Sequence, residues 1–154
     1  MKKVISCETT FDSAHRLMHH RGKCFNIHGH TYKLRVSISC TNPFNNMIMD
    51  FYTLKNFIKD YTDKFDHAFI YASTDYEVHK VVKAMDAIGI KKFIELPEET
   101  TVESMAELMF IELSKLLASH LSAMKELSPE VFLEEVTLWE TATNSCTISG
   151  ENRR

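Results

Sequence analysis

The sequence predicts an α+β fold in which an antiparallel four-stranded sheet carries helices on one face. Segments in which apolar and polar residues alternate lie in pairs near the two ends of the chain, and the segments between them space their apolar residues as helices do. Strands and helices segregated in this way are typical of an antiparallel sheet rather than of repeated β–α–β units. No linker, repeat or low-complexity segment interrupts the 154 residues, so we expect one domain over residues 1–154.

The first pair of strands is predicted at residues 3–15 and 30–40, with a loop over 17–26 between them. One side of the second strand carries His30, Tyr32, Leu34, Val36, Ile38 and Cys40, and its other side is polar. This alternation is typical of a strand that buries one face. If the two strands pair antiparallel, the end of the first lies beside the start of the second.

Three helices are predicted in the middle of the chain. Apolar residues recur at helical spacing over 51–61, where we expect Thr53 as the N-cap, and over 76–88, where Gly89 is expected to end the helix. The stretch "KKFIEL" can add a strand after the second helix.

A third, longer helix is predicted to follow the stretch "TTVE", Thr100 to Glu103, which has the pattern of a capping box. A break is expected at Ser128–Pro129. The last pair of strands is then predicted over 131–141 and 145–149.

Composition excludes several classes of function. The net charge is −3 and no basic block stands out, so nucleic acid is not an expected partner. No apolar run reaches the roughly 20 residues of a membrane span, and the N-terminus does not have the pattern of a signal peptide. Of the four cysteines, Cys7, Cys40 and Cys146 lie in predicted strands and are interpreted as small buried residues. We expect reduced thiols and a cytoplasmic location.

The stretch "CFNIHGH", residues 24–30, contains the strongest candidates for chemistry. His28 and His30 lie two residues apart on a strand, so their side chains project to the same side. His15 ends the first strand and would meet them in the antiparallel pairing. Three imidazoles at one point suit a catalytic zinc site, which has three protein ligands and one open position. The alternative is that His28 and His30 are a chance pair on the surface.

Four other histidines lack this geometry. Two are interpreted as loop residues and two as partly exposed helix positions; they are His19 and His20, and His79 and His120, respectively.

Cys24 lies four residues before His28, in the loop that leads into the strand. Near a bound cation its thiol can lose its proton and act as a base or nucleophile. As a fourth zinc ligand it would instead close the site and make the metal structural. An inert loop thiol is the third alternative, and the spacing of the residues leaves all three open.

Two later segments carry further candidates. Asp66 precedes His67, and an aspartate can orient a histidine and stabilise its charged form, although such pairs are usually surface pairs. Glu140 extends the apolar side of a predicted strand after Val136 and Leu138. A partly buried carboxylate needs a partner, which a ligand with an amidine-like N–H edge would supply; the alternative is a strand-end glutamate in water.

Six segments together resemble motifs of the 6-pyruvoyl-tetrahydropterin synthase family, in the order that the family has them. They are "FDSAHRL", "CFNIHGHTY", "MIMDFYTLK", "FDHAF", "TTVESMA" and "LWETATNS". Each motif alone is weak, but six in the right order are specific. The gap of three residues between Cys24 and His28 favours the bacterial branch, 6-carboxy-tetrahydropterin synthase of queuosine biosynthesis. The departures from the usual motif residues remove no residue with a chemical role; they are Asn46, Thr100, Ser104 and Ala142.

The resemblance implies a tunnelling fold, in which subunits join their sheets into a barrel, as a homohexamer with active sites between subunits. It implies that His15, His28 and His30 hold Zn²⁺, which binds the side-chain hydroxyls of 7,8-dihydroneopterin triphosphate. Cys24 would be the general base and would lie outside the metal's ligand set when substrate is absent.

The resemblance also gives roles to the later candidates. Asp66 and His67, from a neighbouring subunit, would relay protons, and Glu140 would anchor the guanidine-like edge of the pterin with Thr101 and Glu103 nearby. The expected product is 6-carboxy-5,6,7,8-tetrahydropterin, with release of acetaldehyde and triphosphate.

Three other functions remain open at this point. A 6-pyruvoyl-tetrahydropterin synthase would eliminate triphosphate and leave the side chain intact. A non-catalytic protein would bind zinc and pterin without turnover, and a purely structural Cys–His zinc site would hold the fold together. The residues that bind the triphosphate are not assigned; Lys23, Lys33 and Arg35 are guesses.

Overall fold

The computed structural model describes residues 1–123 and 130–150, and the predicted break at Ser128–Pro129 lies outside them. Its strands are β1 (Lys3–His15), β2 (His28–Cys40), β3 (Ala68–Ala72), β4 (Phe93–Leu96), β5 (Phe132–Trp139) and β6 (Ser145–Ser149). Its helices are α1 (Phe51–Thr62), α2 (Tyr76–Ala87) and α3 (Val102–Ala123). None of these helices is long and apolar enough to cross a membrane.

The sheet has six strands in the order β4-β3-β1-β2-β5-β6. The four predicted strands form its antiparallel part, since β1 pairs with β2, β2 with β5 and β5 with β6. The prediction of a four-stranded antiparallel sheet was nevertheless wrong, because β3 and β4 extend it beside β1 in parallel. All five residues of β3 are buried, and a strand covered on both faces shows no alternation by which to recognise it. The strand expected in "KKFIEL" is confirmed as β4.

The sequence predicted helices on one face of the sheet, but the three helices lie on both faces. The main core contains buried residues of α1 and α3 together with Ile70 of β3. Phe69 and Tyr71, which flank Ile70 and so point the other way, pack instead with Val78 of α2. Thus α1 and α3 share a face of the sheet, and α2 covers the opposite face at the parallel edge.

The helix ends differ in detail from the prediction. Asp50, not Thr53, caps α1, because its carboxylate accepts a hydrogen bond of 3.0 Å from the backbone N–H of Tyr52. The expected end of α2 is confirmed, since the helix stops at Ala87 and Gly89 has a φ of 94°.

The start of α3 lies one residue later than the capping-box prediction placed it. The Thr101 hydroxyl accepts a hydrogen bond of 3.3 Å from the N–H of Ser104, which makes Thr101 the N-cap. Thr100 is buried, and its hydroxyl donates to the carbonyl of Arg16 at 2.7 Å. This bond ties the start of α3 to the end of β1, where the predicted metal ligands lie.

The β1–β2 register brings the candidate histidines together. His15 pairs with His28 and Ser13 pairs with His30, while the same register matches Phe11 with Tyr32 further along. Directly opposed residues of an antiparallel pair share a face. The three imidazoles therefore project from the face that forms the core, at the end of the sheet where that core reaches solvent.

Candidate metal centre and its surroundings

Three imidazoles converge at the junction of β1 and β2. The side-chain nitrogens of His15, His28 and His30 that could bind a metal lie within 4.8 Å of one another. Their ring centroids are 4.6 to 5.2 Å apart. The His15 side chain is fully buried, whereas those of His28 and His30 are partly exposed, so the cluster opens toward solvent on one side only.

Backbone carbonyls fix the orientation of two of these rings. His15 Nδ1 lies 2.8 Å from the carbonyl oxygen of Thr100, and His28 Nδ1 lies 2.8 Å from that of Asn26. Because a carbonyl oxygen can only accept, each Nδ1 carries the proton and each Nε2 keeps its lone pair. Metal-bound histidines are held by such bonds in most sites.

The three Nε2 atoms, of His15, His28 and His30, are buried and have no hydrogen-bond partner within the described residues. Burial lowers the pKa of His15 to about 4, and burial also lowers the pKa of His30. The neutral form of both rings is therefore favoured at neutral pH, as a metal ligand requires. Three neutral imidazoles suit Zn²⁺ and several other transition metals, so the donor set fits a metal ion without fixing which one.

Glu140 lies beside this cluster, just after β5. Its Oε1 is 3.5 Å from His15 Nε2 and 3.9 Å from His30 Nε2, and its side chain is 23% exposed. The sequence had placed Glu140 in phase with the buried side of β5, and the structure has it partly buried at the metal site. Glu140 thus places a carboxylate beside two of the three imidazoles.

Cys24 lies on a short 3₁₀ turn, Lys23–Phe25, and is partly exposed. Two contacts hold the turn: Leu17 N–H donates to the Cys24 carbonyl at 2.8 Å, and the Arg16 guanidinium stacks 4.6 Å from the centroid of the Phe25 ring. Within the described residues, the group of ligand atoms at mutual distances below 4.8 Å consists of the three imidazoles alone. Neither the Cys24 thiol nor the Glu140 carboxylate is a member of this group.

Asp66 and His67 form a hydrogen-bonded pair that lies apart from the imidazoles of the same chain. His67 Nδ1 is 2.9 Å from Asp66 Oδ2, and the backbone N–H of Asp12 donates to Asp66 Oδ1 at 2.9 Å. These bonds lower the pKa of Asp66, the one from Asp12 having the larger effect. Asp12 precedes His15 by three residues, or about 10 Å along an extended strand. The His67 side chain is 77% exposed, so it is free to contact another molecule.

Thr101 and Glu103 lie at the start of α3, next to the carbonyl of Thr100 that holds His15. Glu103 is exposed, and its charge, after burial, contributes to raising the pKa of the Cys146 thiol in β6. Cys146 pairs with Leu138 of β5, two residues before Glu140. Thr101 and Glu103 thus lie on the side of the site formed by α3 and β6.

Sequence reasoning missed two groups near the imidazoles, and its guesses for the triphosphate-binding residues stay predictions. Tyr32 was interpreted only as a core residue, yet its buried hydroxyl has no partner in the described chain, and burial, followed by the charge of Glu140, raises its pKa. The role of the Thr100 carbonyl left no sequence signal, since any residue has one. Lys33 and Arg35 alternate with the buried side of β2 and lie over the ring of Trp139, so they point away from the imidazoles.

Comparisons with known proteins identify the family. The family model described as 6-pyruvoyl tetrahydropterin synthase matches residues 4–151. A Haemophilus influenzae protein named 6-carboxy-5,6,7,8-tetrahydropterin synthase is 37% identical over 147 residues, which cover 92% of this chain and 95% of that protein. An Aquifex aeolicus protein of the same name is 32% identical over 160 residues, covering 94% of this chain and 96% of that protein.

Solved structures agree in fold. The crystal structure of 6-pyruvoyl tetrahydropterin synthase from Plasmodium vivax matches with a TM-score of 0.71 over 96% of this chain and 97% of that chain, at 16% identity. A sequence identity this low supports the fold alone, whereas the match to residues 4–151 covers nearly the whole sequence. The chain therefore belongs to the 6-pyruvoyl tetrahydropterin synthase family.

Proposed function

We propose that this protein is a zinc-dependent enzyme that converts 7,8-dihydroneopterin triphosphate to 6-carboxy-5,6,7,8-tetrahydropterin, releasing acetaldehyde and triphosphate, in queuosine-type deazapurine synthesis. The observation that carries the proposal is a set of three imidazole nitrogens that have no partner among the described residues and lie beside a partly buried carboxylate. The names of the Haemophilus influenzae and Aquifex aeolicus relatives support the carboxy product.

His15, His28 and His30 would hold the zinc ion, which acts when bound as a Lewis acid toward substrate oxygens. The fixed Nδ1 bonds of His15 and His28 mean that the donor atoms need little reorganisation to receive it. Glu140, which lies beside the imidazoles, would accept hydrogen bonds from the guanidine-like edge of the pterin. Charge-assisted bonds of this kind fix the orientation of a planar ring.

Cys24 would act as the base that takes a proton from the substrate side chain. It would do so from the turn that leads into β2, where Cys24 is partly exposed. Asp66 would orient His67, which would pass protons on. Thr101 and Glu103 would contact the pterin from the start of α3.

The exposure of His67 favours a site completed by a second subunit, and we propose that the active protein is a homohexamer. A mixing experiment tests the shared site. Cys24→Ala and His67→Asn proteins, each inactive, are unfolded together, refolded and assayed; asparagine tolerates the positive φ of 58° that His67 adopts. With random assembly, about one quarter of the sites would receive both intact residues, and about that share of activity should return. No recovery would mean that both residues act within one chain.

Product analysis tests the reaction itself. Zinc-loaded protein is incubated with 7,8-dihydroneopterin triphosphate, and the products are identified by mass spectrometry. A 6-carboxy product with acetaldehyde supports the proposal, whereas a 6-pyruvoyl product would show the related elimination reaction. Unchanged substrate with zinc bound would favour a non-catalytic pterin-binding protein.

One variant and one chelation experiment check the assigned roles. Cys24→Ala protein should bind pterin but not turn it over, and full activity in this variant would refute the base assignment. A structural zinc site predicts instead that chelation unfolds the chain. Under our proposal, chelated protein should lose activity while keeping its circular dichroism spectrum.

A further inference from the structure

In the contact between Glu140 and the imidazoles, two hydrogen-bond acceptors face each other. Glu140 Oε1 lies 3.5 Å from His15 Nε2, while the His15 Nδ1 proton is already donated to the Thr100 carbonyl. The Nε2 atom therefore offers a lone pair, and an ionised carboxylate also offers only lone pairs. Neither atom can donate a hydrogen bond to the other, so their contact is favourable only with a donor or a cation between them.

No other group in the described residues compensates Glu140. Its carboxylate receives no hydrogen bond from residues 1–123 or 130–150, although its side chain is only 23% exposed. A partly buried carboxylate without donors is unfavourable. One cation between the carboxylate and the imidazoles would satisfy all of these lone pairs at once.

The distances fit donors that share one small ion. Four nitrogen or oxygen atoms bound tetrahedrally at 2.0–2.2 Å are about 3.4 Å from one another. Oε1 is 3.5 Å from His15 Nε2 and 3.9 Å from His30 Nε2, which matches two of the three edges that a fourth ligand makes. The edge to His28 is longer, since the atoms within 4.8 Å of one another are those of the imidazoles alone. The ligand role proposed below therefore requires the Glu140 side chain to rotate toward His28.

We propose that Glu140 is the fourth ligand of the metal ion in the substrate-free protein. We further infer, as a step that rests on the proposed function, that Glu140 leaves the metal when the pterin offers its N–H edge. Glu140 would then release the metal to the substrate only after the correct ring has entered. Glu140 would thus couple recognition of the ring to access of the substrate side chain to the metal.

Cobalt substitution tests the first part without turnover. Metal-free wild-type protein and the Glu140→Gln, Glu103→Gln and Cys24→Ala variants are titrated with Co²⁺, and the visible d–d absorption and the dissociation constant are recorded. Glu140→Gln should lower the affinity at least about tenfold and change the absorption. Glu103→Gln removes the same charge near the site and should keep the wild-type spectrum and affinity, as should Cys24→Ala.

Two results would overturn the ligand assignment. One is a Glu140→Gln protein with wild-type affinity and spectrum. The other is a thiolate charge-transfer band in the wild-type protein that disappears in Cys24→Ala, which would make Cys24 the fourth ligand. A Glu140→Ala variant gives an independent reading, because added acetate should restore the wild-type spectrum if a carboxylate is the missing ligand, and failure of acetate at saturating concentration would count against it.

The second part is tested with a pterin that has no side chain and so cannot bind the metal through side-chain oxygens. When this pterin binds to Co²⁺-loaded wild-type protein, followed by pterin fluorescence, the absorption should shift toward that of Glu140→Gln. Binding without a shift would overturn the exchange. If the wild type forms the 6-carboxy product but Glu140→Gln keeps the wild-type metal affinity, the ligand role alone is refuted. If Glu140→Gln loses metal affinity but the wild type forms no product, the proposed function alone is refuted.

Discussion

Replacing Tyr32 by phenylalanine should leave the protein as stable as the wild type or make it more stable. The Tyr32 side chain is fully buried, and its hydroxyl has no hydrogen-bond partner in the described residues. Phenylalanine keeps the ring, whose centroid lies 5.2 Å from that of Phe11 in a stacked arrangement. The substitution therefore removes an unsatisfied polar atom and preserves the packing around it.

Tyr61 supplies a matched control with the opposite expectation. It is also buried, but its hydroxyl donates to Glu112 Oε2 at 2.7 Å. A hydrogen bond to a charged group contributes about 1.5–3 kcal/mol, so Tyr61→Phe should lose stability of that order. An unsatisfied buried hydroxyl costs about 1–3 kcal/mol, so Tyr32→Phe should gain between about 0 and 2 kcal/mol once the space left by the oxygen is allowed for.

Urea unfolding of the metal-free proteins, at one protein concentration, measures both effects. The fixed concentration matters because subunit association adds to the apparent stability. For a chain of this length, each 1 kcal/mol corresponds to about 2–4 °C in Tm, so the two variants should differ clearly in a thermal scan as well. If Tyr32→Phe loses more than about 1 kcal/mol, as Tyr61→Phe does, the hydroxyl has a partner in the free protein and the reasoning is refuted.

Three further changes test the electrostatics and capping. In metal-free protein the free energy of unfolding should fall by about 2 kcal/mol between pH 7 and pH 5, because His15 binds a proton near its ordinary pKa of 6.5 when unfolded but only near 4 when folded. Denaturant titrations at both pH values check this. His15→Gln should reduce the dependence, and the remainder should come from His30, whose pKa burial also lowers. Asp75→Asn leaves the partly buried Arg16, which is 15% exposed, without its charged partner and should cost about 3 kcal/mol. Glu8→Gln, whose partner Arg35 is more exposed, should cost less than about 1 kcal/mol in the same assay. Thr101→Ala should lower stability by about 1 kcal/mol through loss of the α3 cap, and Thr101→Ser should restore most of it; equal thermal unfolding of the alanine variant and wild type would contradict the cap.

The antiparallel part of the fold could be predicted because its strands bury one face. In β2 the alternation from Tyr32 to Cys40 marks the buried side directly, and pairing with β1 follows from the adjacent position in sequence. The short strand β3, Ala68–Ala72, could not be recognised in this way. All of its residues are buried, so its apolar run is equally compatible with a helix segment or a loop end.

The same periodicity explains which part of the site the sequence located. His28 and His30 share a side of β2 because they are two residues apart, and the register then places His15 against His28. Glu140 was found through its phase with Leu138. The position of Cys24 had no such rule, since a turn residue has no fixed direction, and the distance from its thiol to the imidazoles depends on loop contacts such as that of Leu17 with the Cys24 carbonyl.

This difference between strand and loop residues also bears on how the site would operate. The imidazoles of His15 and His28 are held by two paired strands and by carbonyl hydrogen bonds, so their positions are largely set before any ligand binds. Cys24 lies on a turn, and His67 lies on an exposed turn with a left-handed backbone. A metal needs rigid donors, because ligand geometry controls its affinity, whereas proton transfer needs groups that approach once the substrate or the next subunit is present. The fold therefore places the candidate metal ligands on paired strands and the proposed proton-transfer groups on connecting segments.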